Sequence, residues 1–296
     1  MDRRRVLTGL GAVGLTACER QDPPQASPVM IVPNVRVDFS ALEARHGGRL
    51  GLSAFSEKGA VNWREGERFV YCSTFKMYLA AATLLRVQAG QERLDREVPI
   101  TAADMINHAP ITEPAVGSSL SVEALMKGTV EVSDNPAANL LLKALGGLDA
   151  MRDFYRSIGD DSTRVDRFEP EMNRLDGDKD TIEPARSRLN LQRLFLDPGT
   201  PLSPAFRDKL LGWMFDSPTG LGRIKAGVPA GWRVAHKTGT GGYGPTNDIG
   251  LLYPPAGAPI TLAVYYHGVR ASSDAENEAV IAEATRLTLA ALGHGA

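Results

Sequence analysis

The sequence predicts an α+β fold. A five-stranded antiparallel sheet, built from both chain ends and covered by terminal helices, would carry an all-helical lobe, with a cleft between the two. Three observations predict it. Strand patterns occur near residues 49–64 and 232–267, turn-bounded helical patterns fill the middle, and a last helical pattern closes the chain. The 296 residues are 43% hydrophobic and 23% charged, enough apolar material for a sizeable core, which excludes disorder. Lys and Arg number 33 against 35 Asp and Glu, a balance that points to no nucleic-acid partner. Two cysteines, Cys18 and Cys72, build neither a zinc site nor a disulfide framework, and no metal or cofactor is expected.

Residues 1–17 read as an export signal. Arg3-Arg4-Arg5 precedes an uncharged stretch, Val6–Ala17, too short to span a bilayer. The arginine run resembles a twin-arginine signal, and Leu15-Thr16-Ala17-Cys18 resembles a lipobox, which implies lipidation of Cys18. Residues 18–37, with Pro23, Pro24, Pro28 and Pro33, read as a tether, so the folded body is expected from Asp38. The protein is then exported to the periplasm or cell envelope, touches membrane only through its anchor, and is expected to be a monomer.

Ser40 is placed to cap a first helix that Gly47-Gly48 ends. Arg49–Ser56 and Ala60–Arg64 read as a strand pair around the turn Glu57-Lys58-Gly59. Ser73–Ala89 is a strong helix closed by Gly90. Further helices are expected at Ser121–Thr129, Pro136–Leu145, Leu148–Ile158, Pro184–Leu196 and Pro204–Phe215, with a short one near Thr219–Ala226. Trp232–Thr240, Ile249–Tyr253 and Ile260–His267 suit an antiparallel meander, and Asp274–Leu292 a final helix. The lobes divide as 38–66 with 218–296, and 67–217.

One residue breaks this apolar logic. Met77–Leu85 carries no charge, so the helix is buried, yet Lys76 enters it. Ser73 lies three residues earlier on the same face, a hydroxyl beside a desolvated amine at a helix N-terminus. A helix cap with a snorkelling lysine would look the same, and a bare Ser-x-x-Lys arises by chance about once in such a chain. Two companions decide. Ser133-Asp134-Asn135 falls between predicted helices and Lys237-Thr238-Gly239 on a predicted strand, each expected by chance about once in ten or more such chains.

Together these residues resemble the class A serine β-lactamases, a likeness strengthened by Arg167-Phe168-Glu169-Pro170-Glu171-Met172-Asn173, which is similar to their omega loop. The resemblance implies that Ser73 attacks the β-lactam carbonyl, with the oxyanion held by the N–H groups of Ser73 and Thr240. Lys76 or Glu169 would take the proton. Ser133 would protonate the leaving nitrogen, aided by Lys237, and Glu169 with Asn173 would orient the hydrolytic water. Asn135 would bind the substrate's side-chain amide. Lys237, Thr238 and Thr240 would meet its carboxylate, and Gly239 would let the ligand approach the strand. Arg223 resembles an extra arginine of some members, and His108 stands where an aromatic gatekeeper is usual.

There are departures. The Asn173–Asp180 segment is shorter than the family pattern, although Arg167 and Asp180 are placed to pair across its neck. The resemblance points to a cis bond before Pro170. His236 replaces the usual Asp and has no functional reading. Cys72 resembles a cysteine that carbapenem-hydrolysing relatives pair with another, but Gly241 and its neighbours offer none, so Cys72 is read as a free buried thiol. The short loop keeps open a penicillin-binding D,D-peptidase or β-lactam sensor that acylates without efficient turnover. A non-catalytic binding protein of this fold makes little sense of the intact catalytic set.

Overall fold

The computed structural model describes residues 32–242 and 244–295. The export signal, Cys18 and most of the tether lie outside the described residues. Helix α1 spans Ser40–His46, followed by β1 (Arg49–Ser56), β2 (Gly59–Trp63) and β3 (Phe69–Val70). A 3₁₀ turn over Cys72–Thr74 leads into α2 (Phe75–Gln88). Then come β4 (Glu97–Pro99), β5 (Ser119–Ser121), α3 (Val122–Glu131), α4 (Asn135–Leu145), α5 (Gly147–Ser157) and β6 (Thr181–Ile182). Helices α6 (Pro184–Phe195), α7 (Pro204–Asp216) and α8 (Ile224–Gly227) precede β7 (Arg233–Thr240), β8 (Pro245–Tyr253), β9 (Ile260–His267) and α9 (Asp274–Ala291).

The expected sheet forms, in the order β2-β1-β9-β8-β7, every neighbour antiparallel. Both faces are covered. Leu50, Leu52, Leu262, Val264 and Tyr266 face a core shared with Leu42 of α1 and Val280, Ile281 and Leu289 of α9. Ala235, Ile249, Leu251, Ala263 and Tyr265 face the larger core, which α2 to α7 complete. Double burial explains why β9 reads Ile-Thr-Leu-Ala-Val-Tyr-Tyr and shows no clean alternation. The all-apolar α2 runs through the larger core, buried from Phe75 to Leu84.

The differences from the sequence reading have local causes. Pro33 O accepts from Ala60 N and Val35 N donates to Ala60 O, so the tether's last residues already belong to the folded body before Asp38. Ser40 is the first helical residue rather than a cap, and Asp38 Oδ1 accepts its N–H at 2.8 Å. Helix α2 begins at Phe75 because Cys72 is left-handed, with φ 49°, which puts Ser73 in the preceding turn. Strand β8 starts four residues before Ile249, at Pro245, since β7 and β9 pair with it from both sides and override turn-like Pro-Thr-Asn-Asp. The helix expected over Thr219–Ala226 shrinks to Ile224–Gly227. Residues 67–217 also hold two small ladders, β3 with β6 and β4 with β5.

Candidate active site

The turn carrying Ser73 is held from three sides. Asn247 of β8 donates through Nδ2 to Val70 O (2.9 Å) and Tyr71 O (3.2 Å). Tyr71 N donates to Asp180 O at 3.2 Å. From β7, Gly239 presses so close that a Cβ there would stand 2.6 Å from Tyr71 O. This glycine is therefore required by strand-on-turn packing. Left-handed non-glycine residues gather around the site: Cys72, His108 and Ser133 at φ 49°, 61° and 61°, and Asp180 at 53°. Each such residue costs about 1–3 kcal/mol and persists where its surroundings over-determine it.

Lys76 is fully buried. Its ammonium donates to Ser133 O at 2.7 Å, to Ser133 Oγ at 3.3 Å and to Asn135 Oδ1. It stands 3.2 Å from Glu169 Oε1. Burial holds its pKa below the ordinary lysine value, and Glu169 opposes that shift. Ser73 Oγ meets the same Glu169 oxygen at 3.5 Å. Among the described residues no hydrogen bond joins Ser73 Oγ directly to Lys76 Nζ. The carboxylate is thus the group that touches both.

The Ser-Asp-Asn segment divides its labour. Asp134 is the cap of α4, accepting Ala137 N at 2.8 Å, and it also anchors the N–H groups of Ile111 and Thr112. Ser133 and Asn135 turn into the cleft. Asn135 donates to Asn107 O at 2.9 Å through its side chain and to His108 O at 2.9 Å through its backbone. His108 is exposed at the cleft mouth, its Nε2 2.8 Å from Val132 O.

Glu169 is aimed by two amides. Asn173 Nδ2 donates to its Oε2. Asn139 brackets its backbone, accepting from Glu169 N (3.0 Å) and donating to Glu169 O (2.9 Å). The Glu169–Pro170 bond is cis. The expected neck pair forms, with Arg167 Nε 2.5 Å from Asp180 Oδ2. Asp180 Oδ1 accepts in addition from Asp166 N, Arg167 N and Tyr71 OH, so the loop exit is tied to the Ser73 turn.

On β7, Lys237 Nζ donates to Ser133 Oγ at 3.1 Å and to Thr238 O at 3.0 Å. Burial, reinforced by the Lys76 ammonium, holds its pKa well below the usual value. Arg223 is almost fully buried, donating to Gly239 O (3.0 Å), Asn247 O (2.9 Å) and Thr240 Oγ1 (2.7 Å), with Glu278 as its ion-pair partner at 3.0 Å. His236, which sequence left unread, is buried with its Nδ1 2.9 Å from Asp248 Oδ2, and that oxygen also accepts Ile224 N at 3.2 Å. Cys72 is a free buried thiol, its pKa raised by burial.

These groups converge on a cleft of about 620 Å³ lined by Ser73, Ser133, Asn135, Asn173, Arg223, Thr238 and Thr240. It is lined too by residues that sequence reasoning missed, among them Asn107, Arg174, Thr219 and Gly242. Thr219 Oγ1 lies 2.7 Å from Thr238 Oγ1. Asn139 was also missed, though a lone amide inside Pro136–Leu142 was a readable signal. Nothing local singles out Arg174 or Thr219.

Comparison with known proteins gives a consistent picture. The β-lactamase enzyme family matches residues 34–292. The carbapenem-hydrolysing β-lactamase KPC of Klebsiella oxytoca is 42% identical over 260 residues, covering 86% of this chain and 88% of its own. A β-lactamase of Citrobacter koseri is 39% identical over 236 residues, covering 78% and 80%. Among solved structures, an ancestral class A β-lactamase superposes with a TM-score of 0.82 at 46% identity, covering 86% of this chain and 98% of that one. A β-lactamase from Xanthomonas campestris gives 0.81 at 40%, covering 84% and 94%.

Proposed function

Because this chain belongs to the β-lactamase enzyme family, among its class A serine members, and hydrolyses the β-lactam amide, conferring antibiotic resistance, we propose a division of labour within its cleft. Ser73 is the nucleophile. Its hydroxyl proton passes to Glu169, directly or through water, as Oγ bonds to the lactam carbonyl carbon. The backbone N–H groups of Ser73 and Thr240 hold the oxyanion, each such donor being worth about 3–4 kcal/mol. The carbon–nitrogen bond then breaks, and the nitrogen takes its proton from Ser133; the proton held by Glu169 passes through Lys76 to Ser133 Oγ, beside Lys237, which restores the carboxylate. Water, oriented by Glu169 and Asn173, gives a proton to Glu169 as its oxygen bonds to the acyl carbon; the carbon–Oγ bond then breaks, and Glu169 returns the proton to Ser73 Oγ.

Asn135 and Asn173 bind the substrate's side-chain amide, and Thr238, Thr240 and Arg223 receive its carboxylate. One observation carries this reading. A single Glu169 oxygen lies 3.5 Å from Ser73 Oγ and 3.2 Å from Lys76 Nζ, which suits one carboxylate serving both half-reactions. The retained Glu169–Asn173 pair favours turnover over a sensor that stays acylated. The test is hydrolysis of a chromogenic cephalosporin and of benzylpenicillin, with intact-protein mass in the same tubes. Many turnovers through a transient adduct, both abolished in Ser73→Ala, are expected; one stable adduct without turnover would overturn it.

Residues 1–17 are proposed to export the chain and Cys18 to carry a lipid, supported by the basic run, the short apolar stretch and the lipobox-like Leu-Thr-Ala-Cys. Palmitate label lost in Cys18→Ala is the expected result, and label that survives the change would refute the anchor.

A further inference from the structure

Arg174 differs from every other cation lining the cleft or lying beneath it. Lys76 and Lys237 are buried and committed to Ser133, and Arg223 is engaged with Glu278 and three oxygens of the sheet. Arg174 is exposed, lines the cleft, and makes no side-chain hydrogen bond or ion pair among the described residues. Its backbone is nonetheless pinned. Its N–H donates to Glu171 O at 3.1 Å, and its carbonyl accepts from Arg167 Nη2 at 2.7 Å, the same arginine that closes the loop neck. A free guanidinium thus stands on a fixed base, next in sequence to Asn173.

The surroundings leave it uncompensated. Glu169 is turned inward to Lys76, and Asp176 is taken by Lys179 and Arg167. Glu171 and Asp178 are further exposed carboxylates close by in the chain, and neither makes an ion pair with Arg174. Gly242, which lines the same cleft, has open space where a Cβ would stand. A substrate whose amide sits between Asn135 and Asn173, as proposed above, sends its acyl side chain out past Asn173, with Arg174 beside it and the Gly242 position open. We infer that Arg174 is a specificity-determining residue that favours β-lactams carrying a second carboxylate on the acylamino side chain. This rests on the proposed placement of the amide.

The experiment compares kcat/KM for benzylpenicillin and for its α-carboxy analogue, which differ only by that carboxylate. In Arg174→Gln the analogue should lose about two- to fivefold relative to benzylpenicillin, the range of an exposed ion pair. Arg174→Glu should lose more, and Arg174→Lys should keep most of the preference. Raising salt from about 0.05 M to about 0.5 M should erode the wild-type ratio and leave that of Arg174→Gln flat, because the Debye length shrinks several-fold. A ratio unchanged in Arg174→Gln at low salt, or equal losses on both substrates, would overturn the inference. Failure of the underlying reading is distinct: it would appear as absent Ser73-dependent turnover of benzylpenicillin itself.

Discussion

Lys76 Nζ stands 3.2 Å from Glu169 Oε1, and neither side chain has any exposed surface. The two charges are taken out of water together, and each defines the other's electrostatic surroundings. The carboxylate also reaches Ser73, so the pair joins the nucleophile to the lysine without a direct bond between those two.

The first prediction removes that carboxylate. Glu169→Ala should acylate Ser73 more slowly, with Lys76 as the remaining base, and lose about 10²–10⁴-fold in turnover, the usual range for a general base, because release has no other base. Intact mass after mixing with benzylpenicillin should show a persistent adduct. Turnover at the wild-type rate would remove Glu169 from the mechanism.

Lys237 gives a pH prediction with a definite sign. Burial places its folded pKa well below the ordinary 10.5. Between the two values the unfolded chain binds more protons, so this group's contribution to stability rises with pH and levels off above the unfolded value. Its penalty is complete below the folded pKa. Lys237→Met should therefore raise Tm at low and neutral pH while impairing activity, and the gain should shrink as pH approaches 10.5. There the loss of bonds to Ser133 Oγ and Thr238 O, about 1 kcal/mol each, should dominate. A Tm difference independent of pH would contradict this.

Gly239→Ala places a methyl group 2.6 Å from Tyr71 O, a backbone atom with little freedom to yield. Overpacking of this kind costs about 1–3 kcal/mol. The variant should fold with lowered Tm, and its kcat/KM should fall for all β-lactams alike, since the strand is displaced from the Ser73 turn. Wild-type Tm and kinetics would show that the strand yields at no cost.

Asp180→Asn tests the loop neck. Asp180 is buried and accepts from Arg167, Asp166 N and Tyr71 OH. Hydrogen bonds to a charged group are worth about 1.5–3 kcal/mol, so a loss within that range is expected in chemical denaturation. Deacylation should slow more than acylation, because the loop carries Glu169, the one base proposed for deacylation, whereas acylation keeps Lys76 on α2 as an alternative base. Equal slowing of both steps would mean that the neck acts on the Ser73 turn instead.

Much of the fold was legible. β1, β9 and the helices from α3 to α7 lie within a few residues of their expected places, since apolar periodicity and caps such as Ser121 and Asp134 act locally. The misses share one cause. The early start of β8 at Pro245, the 3₁₀ turn at Cys72–Thr74 and the pairing of Val35 with Ala60 are imposed by distant partners. The site shows the same division. Ser73, Lys76, Ser133, Glu169 and Lys237 were readable as residue types in order, whereas Thr219, Arg174 and the His236–Asp248 pair were not.

By itself the sequence determined which motif residues stand in order along the chain and which stretches are helix or strand, because those signals lie within a few residues of one another. Tertiary structure alone decided which groups meet. Ser73 and Glu169 are 96 residues apart, Ser133 and Lys237 are 104, and their contacts exist only once the sheet from both chain ends closes against the helical lobe. It also decided that Gly239 is demanded by packing, that Arg223 is buried, and that the Arg174 side chain has no partner among the described residues. Each of these depends on what stands across a gap in space, and no local pattern encodes that.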